Sequence, residues 1–332
     1  MKGNEGAKFQ PAFFGLVMSL GILSTSSLLN GFTILSDILL YSAAIAFIFG
    51  AFVILAKTAN RTIRGICRTY ECRYGAFTMS SGLSVMLTRL AMGNAESLSF
   101  NIVEDFALLV ILISIIRPAV LGKIRNSVGK VDSGLTNYPI ALLAFSITLL
   151  HSFPEGSFYS YFTVYIGVAT AVFAMLVFFR FQAGLFKTYA FDGLTNVMTD
   201  GGIFINMGYP ALCSIFLFQA VQSLGSGMNP VSKTLILLIP LVFWIYSTAW
   251  YIPAIIAYIT GNRDHSFITS KFAIVFPAGV YSTATYMIST TYFHYLESLS
   301  VIVLFGGISV LLVILAEFAY SFLMPAKGAV QL

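Results

Sequence analysis

Apolar runs of about 20 residues, the length that lets a helix cross a hydrocarbon core, recur ten times along this chain. They cover 12–29, 36–56, 75–92, 99–117, 136–153, 158–180, 201–222, 234–259, 272–291 and 299–324. The runs are of two kinds. In 18-residue windows starting at 12, 75, 136, 201 and 273, the odd-numbered runs hold 28 Gly, Ser or Thr; windows starting at 38, 100, 161, 238 and 301 in the even-numbered runs hold 11. A helix that faces lipid has no use for hydroxyls, whereas one packed among helices tolerates them. The alternation therefore predicts five hairpins inserted in the same direction, each pairing a small, polar-faced helix with an apolar one.

Within the odd runs the small and polar residues fall on shared faces. In the ninth, Phe276, Gly279, Ser282, Thr283, Tyr286, Ser289 and Thr290 follow helical spacing, while Ile274, Ala278, Tyr281, Ala284 and Ile288 lie opposite. Pro277 removes a backbone donor and predicts a bend beside the Phe276 ring. Gly15, Ser19 and Ser26 share a face of the first run, and Thr78, Ser81, Gly82 and Arg89 a face of the third. Gly202, Asn206, Pro210 and Cys213 share one in the seventh; Ala141, Thr148 and Ser152 make a weaker one in the fifth. Small residues on a single helix can serve close packing alone. Repeated on five helices, they predict a conduit. The expected fold is all-α and integral to the membrane: ten transmembrane helices, as five hairpins in a quasi-fivefold arrangement around a central pore. The Phe276 ring, at the Pro277 kink, faces the expected pore, which is lined by Gly15, Ser19, Ser26, Thr78, Ser81, Gly82, Thr148, Gly202, Asn206, Gly279, Ser282, Thr283 and Tyr286.

With 58% hydrophobic and 9% charged residues and a mean hydropathy of +0.88, the 332-residue chain is excluded from ordinary soluble domains. Sixteen of its 18 Lys and Arg fall in the connections on one side, leaving only Arg89 and Lys233. By the positive-inside rule this predicts a multi-pass protein of the cell membrane with both termini cytoplasmic. Residues 1–11 and 325–332 are the tails and 12–324 a single domain. The net charge of +5 is thus topological and implies no nucleic acid. The first run, after Lys2 and Lys8, reads as a retained span because no small-x-small cleavage site follows. Cys67, Cys72 and Cys213 form no disulfide framework.

Charge inside a membrane is a functional candidate by default. Arg89 is a candidate outer anion site or the partner of Glu104 and Asp105 across its hairpin. Asp37 reads as a solvated helix-end residue. Glu317 is a candidate proton sensor, or pairs with Ser, Tyr or a neighbouring protomer. His151 and His294 lie near the outer surface without partners evident from sequence. No HExxH, Gly-x-Gly-Asp, Ser/His pair or metal-ligand cluster is present, which argues against an enzyme and against any cofactor. No helix repeats arginine in the manner of a voltage sensor.

Four segments resemble the tellurite-resistance and C4-dicarboxylate transporter family, which includes TehA, the yeast malate and sulfite carriers and the plant guard-cell slow anion channel. They are Phe14-Gly-Leu-Val-Met-Ser-Leu-Gly-Ile-Leu-Ser24, Gly75-Ala-Phe-Thr-Met-Ser-Ser-Gly82, Phe204-Ile-Asn-Met-Gly208, and Trp250-Tyr-Ile-Pro253 leading to Phe272-Ala-Ile-Val-Phe-Pro-Ala-Gly-Val-Tyr281. Phe272 stands where many relatives carry Trp, and Ser19-Leu20 interrupts the usual Gly-Thr-Gly. The resemblance implies five hairpins about a pore, a homotrimer with one pore per protomer, and a phenylalanine plug at Phe276.

Two functions follow as expectations. One is a passive anion channel or uniporter, drawing chloride, nitrate, malate or sulfite-like anions to a mouth made positive by helix N-termini and basic loops. The other is a proton-coupled carrier or exporter of dicarboxylate, sulfite or tellurite-like oxyanions, which needs a titratable group on the route.

Overall fold

The computed structural model of the protein describes residues 13–59, 70–94, 137–151, 158–192, 202–224, 229–260 and 272–323. Among these are nine α-helices and no strand: α1 Phe14–Leu29, α2 Thr33–Ala59, α3 Tyr70–Asn94, α4 Asn137–His151, α5 Phe158–Asp192, α6 Gly202–Leu224, α7 Pro230–Thr260, α8 Phe272–Thr291 and α9 Glu297–Leu323. The run expected at 99–117 lies outside the described residues. α5 continues to Asp192 rather than stopping near 180, because a charge such as Arg180 ends an apolar run without ending a helix.

Local chemistry sets the ends. After α1 the chain reverses at Gly31, whose φ of 83° is open to glycine at little cost. The Phe32 N–H then bonds the Ser27 carbonyl and the Gly31 N–H that of Leu28, the Schellman pairing that satisfies terminal carbonyls. At the start of α7 the Asn229 side chain accepts the Val231 N–H at 3.0 Å, and Pro230 takes the first helical position, where a missing donor matters least.

Five helices contact one another in a closed circuit: α1 with α3, α3 with α4, α4 with α6, α6 with α8, and α8 with α1. They run parallel. Between α1 and α8, Ser19 donates to the Phe272 carbonyl (2.7 Å) near their N-terminal ends, and Ser26 meets Ser282 (2.7 Å) further along. Between α3 and α4 the Phe77 and Tyr138 rings lie 5.1 Å apart near the start, and Thr88 reaches Thr148 (3.2 Å) near the finish.

α2, α5, α7 and α9 pack outside as the antiparallel partners of α1, α4, α6 and α8. Among the described residues these four are also the helices long and apolar enough to cross a membrane by themselves, and they turn Ile45, Leu176, Val242 and Leu312 outward. Serine fastens three of the hairpins. Ser24 and Ser36 each donate to the other's carbonyl (2.6 and 2.7 Å), and so do Ser282 and Ser300 (2.8 and 2.9 Å). Between α6 and α7, Ser214 donates to the Pro240 carbonyl and Ser247 to that of Met207. In hydrocarbon such bonds contribute on the order of 0.6 kcal/mol each and fix register as well.

α8 lies close against α1 at Gly279. A Cβ on Gly279 would stand 2.6 Å from Ile22 Cγ2 and 3.4 Å from the Leu23 backbone nitrogen. Gly279→Leu is therefore expected to destabilise the protein by about 1–3 kcal/mol or more through overpacking, while Gly306→Leu, whose Cβ meets nothing within 4 Å, is tolerated. Thermal denaturation in detergent distinguishes the two; equal melting temperatures would refute the contact.

Candidate functional site

A cavity lies inside the circuit and is lined from all five of its helices: Ile22 and Thr25 of α1, Val85 and Thr88 of α3, Ala144 and Ile147 of α4, Leu212, Ile215 and Gln219 of α6, and Thr283 of α8. It offers about 20 Å³ to the centre of a water-sized sphere, room for little more than one water. None of these lining residues carries charge. The three threonine hydroxyls turn back on their own helices, donating to Gly21, Ser84 and Gly279 carbonyls at 3.0–3.1 Å. Gln219 is 6% exposed, and its Oε1 has no hydrogen-bond partner.

The orientation of Phe276 follows from the neighbours of α8. Gly279 faces α1, and Pro277 abuts Gly208 of α6, where an added Cβ would meet the proline ring at 3.1 Å. Between those two faces runs the arc that carries Thr283, and Phe276, seven residues earlier, shares it. The ring is thus turned toward the interior of the circuit, 1% exposed, about 10 Å from Thr283 toward the N-terminal ends. The same arc carries Val280 and Met287, both buried.

The polar face expected on this helix therefore divides. Thr283 lines the cavity, whereas Gly279 is pressed on α1 and Ser282 joins Ser26 of α1 to Ser300 of α9. Ser19 and Ser26 likewise spend their hydroxyls on α8, and Tyr286 is half-buried. Gly15 is buried in α1. On α3, Ser81 and Thr78 are buried and share by spacing the arc of Val85 and Thr88, but Gly82 sits against Val17 of α1. Thr148 stands behind the lining, bonded to the Ser84 carbonyl at 3.0 Å. Gly202 and Asn206 belong to α6, and their side-chain surroundings lie outside the described residues.

Sequence reasoning did not single out Thr25, Thr88 or Gln219. Thr25 and Thr88 stand next to the residues chosen, one helical position away. A glutamine within the apolar run 201–222 was the available signal for Gln219.

Arg89 is buried and bonded to α2. Its Nε donates to Ser36 Oγ at 2.7 Å and its Nη2 to Asp37 Oδ1 at 2.8 Å. Asp37, expected to be solvated, is exposed, its side chain 56%, and is also this partner. A guanidinium inside the helix bundle takes a nearby carboxylate, and the second turn of α2 offers one. Glu104 and Asp105, the partners expected from sequence, lie outside the described residues. Glu317 sits on the exposed side of α9 and makes an interaction of its own. His294 is exposed in the turn before α9. Cys213 is a free, buried thiol. Among the described residues no three His, Cys, Asp or Glu stand together as metal ligands.

Residues 8–319 match the family described as voltage-dependent anion channel (SLAC1). The chain belongs to that family. The match spans all nine helices apart from the last four residues of α9. The family is that of TehA, the C4-dicarboxylate transporters and the slow anion channels; its members are anion channels or transporters rather than enzymes, and the chain is a membrane protein of that class. No curated protein matches the chain.

Because Asp37 is largely exposed, the ion pair itself contributes little, whereas the buried bond from Arg89 to Ser36 belongs to a charge-assisted class that contributes about 1.5–3 kcal/mol. Arg89→Ala is expected to lower the melting temperature clearly and Asp37→Asn to leave it nearly unchanged. Equal losses would assign the stability to the ion pair instead.

Proposed function

We propose that the circuit of α1, α3, α4, α6 and α8 encloses an anion conduit, one per chain, and that Phe276 plugs it. The observation that carries this reading is the uncharged cavity bounded by all five helices, with the Phe276 ring on the same arc of α8 that supplies Thr283. The reading takes the fold as a ten-helix, quasi-fivefold arrangement, in keeping with the ten apolar runs of the sequence.

The chemistry is weak binding. Five parallel helices direct the positive ends of their dipoles to one mouth, which attracts anions. That mouth is the cytoplasmic one, because the basic connections lie there, and both termini share its side. Beyond it the route holds no fixed charge among the described lining residues, so an anion is held by hydroxyls and dipoles and leaves as readily as it enters. For passage, Thr25, Thr88 and Thr283 rotate their O–H groups from the backbone carbonyls toward the anion. A cavity with room for about one water admits no hydrated ion while the ring is in place, so opening requires Phe276 to move. The outward apolar faces of α2, α5, α7 and α9 meet lipid, and part of that surface meets neighbouring copies in a homotrimer.

Purified protein in a planar bilayer tests the plug, with chloride, nitrate and malate in turn. Wild type is expected to pass little current and Phe276→Ala at least about tenfold more, the effect of lowering a barrier by roughly 1.4 kcal/mol. The enlarged current should reverse near the anion potential. Unchanged current from a correctly assembled mutant would remove Phe276 as the plug. In the Phe276→Ala background, Thr283→Val is expected to reduce the current, since it keeps the shape and deletes a donor; an undiminished current would show that the hydroxyl does not serve the ion.

A further inference from the structure

Resting on the reading of Phe276 as the plug, we propose that Tyr281 is its positioning residue. Held on α7 by a bond to Thr248, the Tyr281 ring backs the bend of α8 and keeps Phe276 in the conduit; the plug withdraws when that bond is released. Two serines tie α8 to α1: Ser19 donates to the Phe272 carbonyl, and Ser26 meets Ser282. Between these ties stand Phe276 and Pro277, and the proline leaves the Ala273 carbonyl without its helical donor. A helix fixed at two points and missing one rung between them yields there by bowing. Bowing away from the conduit carries the ring with it. On the α6 flank Gly208, packed on Pro277, has no side chain to obstruct the movement.

Tyr281 stands behind the bend. It lies about 140° around the helix from Phe276, and Thr285, one turn on, about 180°, so their face is turned from the conduit toward α7. A helical tyrosine leans toward the N-terminus of its own helix, which here is the direction of Pro277. The buried ring is stacked with Tyr251 (centroids 5.1 Å apart) and with Trp244 (6.1 Å) of α7. Trp244 Nε1 donates to Thr285 Oγ1 at 2.9 Å, and Tyr281 Oη lies 2.8 Å from Thr248 Oγ1. Thr248 gives its one proton to the Trp244 carbonyl at 2.8 Å, so the Tyr281 hydroxyl is the donor between them. A stacked ring that slides along its neighbours keeps most of the stack, whereas a hydrogen bond weakens steeply once its geometry is lost. The Tyr281–Thr248 bond therefore belongs to the plugged state. Because α7 also turns Val242, Ile245 and Ile252 outward, an outer helix shares control of the inner plug.

Chloride currents of the full chain in planar bilayers test this. Tyr281→Phe, which deletes only the hydroxyl, is expected to raise the mean current about two- to tenfold over wild type, the effect of removing one hydrogen bond from the plugged state. The unitary current should not change. Thr248→Val should do the same, and Tyr281→Phe/Thr248→Val should exceed neither single variant, since all three lose one and the same bond. In the Phe276→Ala background, where no ring remains to be released, Tyr281→Phe should leave the current as it is. A Tyr281→Phe current equal to that of wild type, with a lowered melting temperature or without one, overturns the positioning role; the conduit then stands if Phe276→Ala conducts. A rise that persists in the Phe276→Ala background also overturns it, because the tyrosine would then act on the route and not on the plug. Silence of both Phe276→Ala and Tyr281→Phe overturns the conduit reading and the positioning role together.

Discussion

The circuit of helices closes where α1 lies against α8, and that closure is made by hydroxyl groups and a missing side chain. Ser19 and Ser26 reach α8 across sequence separations of 253 and 256 residues, and Gly279 lets the two backbones approach until Ile22 fills the space a Cβ would take. Hydrophobicity offers no reason for two helices to meet inside a membrane, because lipid is as apolar as leucine. Packing and hydrogen bonds must supply it. If α1 and α8 parted, the circuit would be an open curved wall and the cavity would have no fifth side.

The hairpins use the same chemistry. A hydroxyl that donates to a carbonyl on the partner helix locks the register of α1 with α2, of α6 with α7 and of α8 with α9. Ser36 and Ser300 occupy the same place, the fourth residue of their outer helices. Arg89 extends one of these clamps by binding Ser36, so α1, α2 and α3 are joined at a single point. A polar group buried in this bundle is thus first a fastener, and only those left over by the fastening face the cavity.

That division explains what was legible in the sequence. The outer helices α2, α5, α7 and α9 could be read directly, because their outward sides are predominantly apolar over most of their length. The placing of small residues on the inner helices was legible as well. Hydropathy and spacing identify a face, however, and not the helix it meets; the faces read as lining on α1 and α8 are in large part the faces with which those helices grip each other. Ser19, Ser26 and Ser282 therefore face neighbours, while Thr25 and Thr283 face the cavity. Phe276 was distinguished by standing beside Pro277, and the packing of Pro277 on Gly208 turns the ring inward.

The long separation between α1 and α8 also has a temporal side. A ribosome adding 5–20 residues per second takes on the order of tens of seconds to make the chain between Ser19 and Phe272. Throughout that interval α1 has its hydroxyls in the membrane and no partner for them on that side. Synthesis order thus makes the helix that begins the chain the last to be enclosed, and any delay in delivering the final hairpin falls on the most polar flank of the first.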